Sequence, residues 1–163
     1  MRLWRICAAA HRSFDGEGAR EFGGRWNRPG IRVVYTSGRL SLAAIESFVH
    51  LDPDVAPEDL VAIPAELPAN VAIAQIEVAT LPRNWRDYPA PEALQDLGTA
   101  WVRDASTAVL SVPTAILSVP PELIPDERNY LLNPTHDDFD RIQIGGPHAF
   151  RFDPRLWKRT GPA

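Results

Sequence analysis

The stretch Gly23-Gly24-Arg25-Trp26-Asn27-Arg28-Pro29-Gly30-Ile31-Arg32-Val33-Val34-Tyr35-Thr36-Ser37 constrains this chain more than any other. It opens as a glycine-framed loop carrying two cations, Arg25 and Arg28, and passes into a β-branched run that ends on a tyrosine. Gly23-Gly24 permits a tight or left-handed backbone and lets main-chain amides approach a ligand. Val33-Val34-Tyr35 reads as a strand. A helical pattern follows almost at once, with Ser41 in the position of an N-cap and Leu42, Ile45 and Val49, with Ala44 and Phe48, as its apolar stripe. Glu46 falls just off that stripe, at the border between core and solvent. Loop, strand end and helix thus deliver Arg25, Tyr35 and Glu46 in succession. Folded back on one another they line a cleft suited to an anion.

The rest of the chain supports one α+β domain over residues 1–163, with a small mixed or antiparallel β core and flanking helices. Met1 to Cys7 alternates as a first strand, with Leu3 and Arg5 on one face and Trp4 and Ile6 on the other. Arg5 is as readily a solvated strand arginine as a ligand contact. His11 to Glu21 is polar and glycine-bearing and reads as a loop. Leu60 to Leu67 and Val71 to Val78 read as strands, and Pro64 places the first at an edge or a bend. Pro91 to Val102 forms a second helix, with Leu94, Leu97, Trp101 and Val102 as its stripe. Ala108 to Leu117 is a buried strand pattern interrupted by Pro113, and Pro120, Pro121 and Pro125 make a stiff connector. Asn129 to Asn133 gives a short strand, and Phe139, Ile142 and Ile144 a last one. The tail packs back through Phe152 and Trp157.

Composition narrows the function classes. The formal net charge is -4, which argues against a generic nucleic-acid surface. No apolar stretch approaches the ~20 residues that span a bilayer. Arg2, Arg5, His11 and Arg12 interrupt any leader-like apolar region, so a cytoplasmic location is expected. The single cysteine, Cys7, has no internal partner and reads as a buried structural thiol. His11, His50, His136 and His148 lack metal-ligand spacing, so no metal is expected. No GxSxG, P-loop or dinucleotide-fold GxGxxG occurs.

What remains is a cleft with cations, an aromatic and one carboxylate. Arginine forks match phosphate oxygens, a tyrosine stacks on a ring, and a carboxylate orients ribose hydroxyls and stabilises oxocarbenium-like charge. Those parts describe a site for a pyrophosphate-linked nucleotide such as NAD. On spacing alone, Glu46 still reads more readily as an ordinary helix-surface carboxylate.

The segments Trp4-Arg5-Ile6, Gly23-Gly24-Arg25-Trp26-Asn27, Val33-Val34-Tyr35-Thr36-Ser37, Ala44-Ile45-Glu46 with Val49-His50-Leu51, and Asn129-Tyr130-Leu131-Leu132-Asn133-Pro134 resemble, in order, the motifs of RES-domain proteins, toxins of bacterial toxin–antitoxin pairs. The resemblance runs over about residues 1–152, leaving 153–163 as a tail. It implies a fold similar to ADP-ribosyltransferase toxins and consumption of NAD as substrate. ADP-ribose would go to phosphate, to water or to a protein such as phosphoribosyl pyrophosphate synthetase. The implied partner is a small Xre-like antitoxin that covers the cleft. Carried over by motif, Glu46 is the catalytic carboxylate, Arg25 binds NAD phosphate or ribose and Tyr35 packs on the nicotinamide side. Trp26, Asn27, Arg5, Ser37 and Asn129 join them in binding NAD. The family's serine has no direct counterpart: Val112-Pro113 is followed by Thr114, with Ser111 before it and Ser118 after. Thr114 is favoured because it keeps a hydroxyl in the equivalent place. The rival reading is a RES-fold interaction module that binds antitoxin or nucleotide without turnover.

Overall fold

The computed structural model describes residues 1–52, 57–116 and 127–157. Strand β1, Arg2–Ala8, pairs antiparallel with β3, Leu60–Glu66, over its whole length, from Arg2 opposite Glu66 to Ala8 opposite Leu60. Leu3 and Ile6 point to opposite faces and both are buried, so both faces of this pair are covered. Strand β2, Val34–Ser37, meets β1 only at Ser37 opposite Trp4. Its other edge is fully paired with β6, Arg128–Leu132. Strand β5, Val109–Pro113, lies beyond β6, and β4, Ile73–Gln75, runs parallel to β5 at the margin. The sheet order is β4-β5-β6-β2-β1-β3-β7, where β7 is Gln143–Ile144, and β8, His148–Ala149, sits beside β3 as well. This is the α+β class expected, with a mixed, mostly antiparallel sheet.

Leu3, Val34, Ala65, Val109 and Leu132 form a core on one face, closed over by Leu67, Val71 and Ile142. The opposite face carries the helices. Helix α3, Glu92–Asp104, lays Leu94 and Trp101 on Leu110, Val112 and Leu131. Helix α2, Leu40–Phe48, lays Ala43 on Ile6 and Ala62. The tail closes over α2 as expected: the Phe48 ring meets Phe152 at 5.5 Å and Trp157 at 5.4 Å, edge to face.

Several expected elements change in extent. Residues 17–22, read as loop, form a short helix α1, Glu17–Phe22. Its support is tertiary: the Asn27 amide donates to the Ala19 carbonyl, which also accepts the Gly23 N–H, and the Gly30 N–H donates to the Arg20 carbonyl, which such a short helix leaves open. Helix α2 starts at Leu40 with Arg39 before it and no side-chain cap, so Ser41 is not the N-cap. The run 71–78 contracts to β4 and the described part of the run 108–117 to β5, Leu117 lying outside the described residues, while β7 has only two residues after a 3-10 turn at Asp137–Arg141. Ser118 and the connector prolines Pro120, Pro121 and Pro125 lie outside the described residues. Pro64 sits inside β3, where its carbonyl accepts from the Gly145 N–H. Within a strand the N and C=O of a residue point the same way, so the missing donor faces the gap between the β7 and β8 pairings. Cys7 is only half-buried, and burial pushes its thiol pKa up while Arg5 pulls it down.

Gly98 lets the Gly23–Ser37 segment settle on α3. A Cβ there would lie 1.8 Å from the Trp26 carbonyl oxygen, a backbone atom. Gly98→Ala is expected to cost at least about 2 kcal/mol and lower Tm by roughly 5 °C or more. Calorimetry giving the wild-type Tm would show that the loop does not rest on α3 as described.

Candidate active site

The loop after α1 is built around a side chain with no exposed surface. Asn27 is 0% exposed. Its amide nitrogen donates to the carbonyls of Ala19, Arg28 and Ile31, and its oxygen accepts the Tyr35 hydroxyl at 2.7 Å. The same hydroxyl accepts the Trp26 N–H at 3.0 Å. Gly24 is required beside it, since a Cβ would fall 2.5 Å from the Tyr35 oxygen. Helix α3 holds the other side of the loop: Gln95 donates to the Gly24 carbonyl and Thr99 accepts the Arg28 N–H. The Arg28 pairs with Asp96 and Glu92 are solvent-exposed and add little.

This frame sets Arg25. Its guanidinium donates to the carbonyls of Trp85 at 2.8 Å and Asp87 at 3.2 Å. Burial pushes its pKa down, while Glu46, Tyr35 and Asp87 push it back up. It is a half-buried cation bonded to neutral carbonyls, with the Glu46 charge within electrostatic reach.

Glu46 faces inward from α2. Its Oε1 accepts the Thr114 hydroxyl at 2.7 Å and the Asn129 amide at 2.5 Å. Asn129 is oriented in turn by Ser37, whose buried hydroxyl donates to its Oδ1 at 2.7 Å. Both donors fall on one carboxylate oxygen, and among the described residues no protein donor reaches Oε2. The Thr114 hydroxyl also accepts the Ile116 N–H at 3.3 Å. Strand alternation explains the convergence. Ser37 is paired with Asn129, so both leave the sheet on one face, and Thr114 leaves β5 on the side of Val112, beneath the helices. Ser111 points the other way and accepts from Arg128 at 2.6 Å.

The structure therefore joins Glu46, Thr114, Asn129 and Ser37 in one network and places Arg25 within electrostatic reach of the carboxylate. Tyr35 is adjacent, but its hydroxyl is committed to the loop, which leaves its ring for contact. Trp26 is buried in the core beneath α3, and the Asn27 amide is wholly engaged with the loop. Both shape the site from behind rather than present polar atoms to it. Arg5 stands apart: its guanidinium donates to the Ser13 carbonyl and lies 5.3 Å from the Phe14 ring, on the Leu3 side of β1. The apolar stripe expected for α2 is also revised. Leu42 and Ala43 are buried, but Ile45 is 40% and Val49 54% exposed, and it is Glu46 that turns inward. Gln95, Thr99 and Gly98 were not marked as site residues from sequence, because their contribution is to dock the loop on α3. Among the described residues no cluster of His, Cys, Asp or Glu is placed to hold a metal ion. None of the helices described is long and apolar enough to cross a membrane.

An arrangement of this kind defines a class when set beside known proteins. Residues 2–153 match the RES domain, and the chain belongs to the RES-domain family. It is 34% identical over 160 residues to a protein of Yersinia enterocolitica serotype O:8 / biotype 1B named Toxin Res, covering 96% of this chain and 99% of that one. It is 34% identical over 165 residues to the Prs ADP-ribosylating toxin of Sphingobium sp. strain YBL2, covering 97% and 98%. The fold is similar to a chain in the crystal structure of the M. tuberculosis MbcT-MbcA toxin-antitoxin complex. The TM-score is 0.70 at 16% identity, covering 96% of this chain and 86% of that one.

Burial, opposed by the Trp26 N–H and Arg25, holds the Tyr35 hydroxyl pKa well above its usual value. A raised pKa means that the folded chain keeps a proton which the unfolded chain releases above about pH 10. The hydroxyl's contribution to stability is thus complete below that pH and falls away as pH rises. Tyr35→Phe, which leaves Asn27 and the Trp26 N–H short of a partner, is expected to cost roughly 1–3 kcal/mol near pH 7. Denaturant titrations should show the gap to wild type narrowing above about pH 10; a constant gap would contradict the buried hydroxyl.

Proposed function

We propose that this chain is the toxin of a toxin–antitoxin pair, acting in the cytoplasm by cleaving NAD at the nicotinamide–ribose bond. The observation that carries the reading is the double anchoring of Glu46 Oε1 by Thr114 and Asn129, with Oε2 left for a ligand. Two hydrogen bonds fix the carboxylate's plane before substrate arrives, so little reorganisation remains at the moment of reaction. The name of the Sphingobium relative, an ADP-ribosylating toxin, supports NAD as the substrate. The toxin-antitoxin complex containing the structural neighbour supports a protein partner. For this chain that partner is a small Xre-like antitoxin seated over the cleft.

In this reading Oε2 accepts a ribose hydroxyl and stabilises the positive charge that grows on the ribose as the bond from C1′ to the pyridinium nitrogen stretches. The bonding pair leaves with nicotinamide, which departs neutral. Arg25 holds the pyrophosphate or ribose, and the Tyr35 ring packs against nicotinamide. A nucleophilic oxygen of phosphate or water, or a side chain of an acceptor protein such as phosphoribosyl pyrophosphate synthetase, then bonds to C1′ and gives up its proton. Thr114 acts by holding Glu46; its hydroxyl takes the part of the family's serine.

Glu46→Gln keeps the shape and removes the charge. Nicotinamide release is expected to fall on the order of 10²–10³-fold, with NAD affinity changed only a few-fold. Expression of the wild-type chain without antitoxin should arrest growth, and the variant should not. Intact NAD after incubation with folded wild-type protein would sink the catalytic reading. Thr114→Ser is expected to retain activity and Thr114→Val to lose most of it, read in the same assay. Arg25→Ala should mainly weaken NAD binding by calorimetry, and an unchanged Kd would remove Arg25 from the phosphate site.

A further inference from the structure

Both donors to Glu46 stand at the same end of the β5–β6 pair. Asn129 follows Arg128, the first residue of β6, and Thr114 follows Pro113, the last residue of β5. Asn129 is opposite Val112, and Arg128 is opposite Pro113. The Arg128 carbonyl accepts the Gly38 N–H at 3.0 Å and so faces β2. By alternation Val112 and Asn129 turn their backbone groups toward each other, whereas Pro113 and Arg128 turn theirs apart. Pro113 therefore faces β4.

That orientation leaves a gap. The Ile76 N–H donates to the Ser111 carbonyl at 2.9 Å, continuing the parallel pattern of β4 and β5. The same pattern sets the Ile76 carbonyl against the nitrogen of residue 113, and proline has no N–H to give. A side chain of β6 takes its place. Alternation sends Arg128 to the face opposite Asn129, the face of Ser111. There its Nη2 donates to the Ile76 carbonyl at 2.7 Å and to the Ser111 carbonyl at 3.2 Å, and its Nε to Ser111 Oγ at 2.6 Å. Arg128 is thus a half-buried cation whose three bonds all run to neutral oxygens. Burial lowers its pKa, with Glu77 and Tyr130 opposing. One planar fork ties β6 across β5 to the residue that follows β4, a span that the point charge of a lysine does not match.

We propose that Arg128 is a positioning residue for Glu46: from the far face of the sheet it holds the ends of β5 and β6 that carry Thr114 and Asn129, and through those two donors it fixes the carboxylate. Its guanidinium lies on the face away from Glu46, so it acts through the sheet and not on the ligand. Without it the Ile76 carbonyl loses a donor, and β6 loses its side-chain tie toward β4 at the end where Thr114 and Asn129 stand. A displacement of about 1 Å in a catalytic group can cost on the order of 10²-fold in rate. The consequence for turnover rests on the NAD-cleaving reading; the consequence for the side-chain network does not.

The first measurement needs no turnover. It follows the Asn129 side-chain amide in proton–nitrogen NMR spectra of the full chain, assigned by its loss in Asn129→Ala. A short bond to a carboxylate deshields the amide proton, so the resonance is expected downfield of a solvated amide. Arg128→Lys, which keeps the charge and breaks the fork, should move it back toward the solvated position, as should Arg128→Ala. Glu46→Gln, which removes the charged acceptor, should do the same. A resonance that stays at its wild-type position in the Arg128 variants overturns the proposal; if Arg128→Ala does not fold, Arg128→Lys carries the test. The second measurement is nicotinamide release. Arg128→Lys is expected to lower kcat per folded molecule roughly tenfold with KM for NAD within about twofold of wild type. Most of that loss should disappear in a Thr114→Val background, since both changes act on one carboxylate. Unchanged kcat per folded molecule, or losses that multiply, would leave Arg128 a structural residue only and overturn its positioning role. Wild-type protein that releases no nicotinamide but shows the expected movement of the resonance would count against the catalytic reading alone.

Discussion

The buried amide of Asn27 is the interaction on which the site's geometry depends. One side chain serves the Ala19 carbonyl of α1, the loop's own backbone and the hydroxyl of Tyr35 on β2. Its leverage comes from asymmetry: a made hydrogen bond contributes about 1 kcal/mol, while a buried group left unpaired costs about 1–3. With no exposed surface, Asn27 has no water to turn to. The loop therefore has one low-energy shape, and Arg25, next but one in sequence, inherits its place from it. Helix α3 closes the same loop from the other side by close backbone approach at Gly98 rather than by its exposed ion pairs.

The Glu46 network rests on a different support. Ser37, Asn129 and Thr114 come from β2, from β6 and from the residue after β5, and these three strands are neighbours in the sheet. Residues on rigid adjacent strands hold relative positions that loops do not. Only the carboxylate arrives from elsewhere, on α2, whose far end is gripped by Phe152 and Trp157. Helix α2 breaks the usual inside-out rule in order to deliver it. Ile45 and Val49 remain exposed while a carboxylate turns in, a local conflict of the kind that marks functional positions. That pair of exposed apolar side chains is also surface that a protein partner can cover.

How far the sequence was legible follows from what each signal encodes. The strands β1, β2, β3, β5 and β6 and the helices α2 and α3 were readable because alternation and helical spacing report burial over many residues. Helix α1 was not, because its stability comes from Asn27 and Gly30, later in the chain. Strand β8 is too short to carry a pattern at all, and of the last strand read over Phe139, Ile142 and Ile144 only the two residues of β7 pair. The apolar stripe of α2 pointed the wrong way because periodicity assigns the inward face to hydrophobic residues and has no term for a bonded carboxylate. Motif order, not spacing, singled out Glu46. For the hydroxyl, Pro113 hid the alternation that separates Ser111 from Thr114. Once the β5–β6 register is known, Ser111 belongs to Arg128 and Thr114 to Glu46.

These two supports also divide the chemistry. The strand-borne donors fix a carboxylate oxygen where charge is proposed to develop, and a sheet is the better place for a group that must not move. Arg25 hangs on backbone carbonyls of Trp85 and Asp87, in an irregular segment between β4 and α3. Such bonds yield to an anion more easily than a buried ion pair does, since an arginine leaving neutral carbonyls for a pyrophosphate strands no opposite charge. A cation held lightly over a carboxylate held firmly is the order of rigidity that a site needs if it binds an anionic substrate first and stabilises positive charge afterwards.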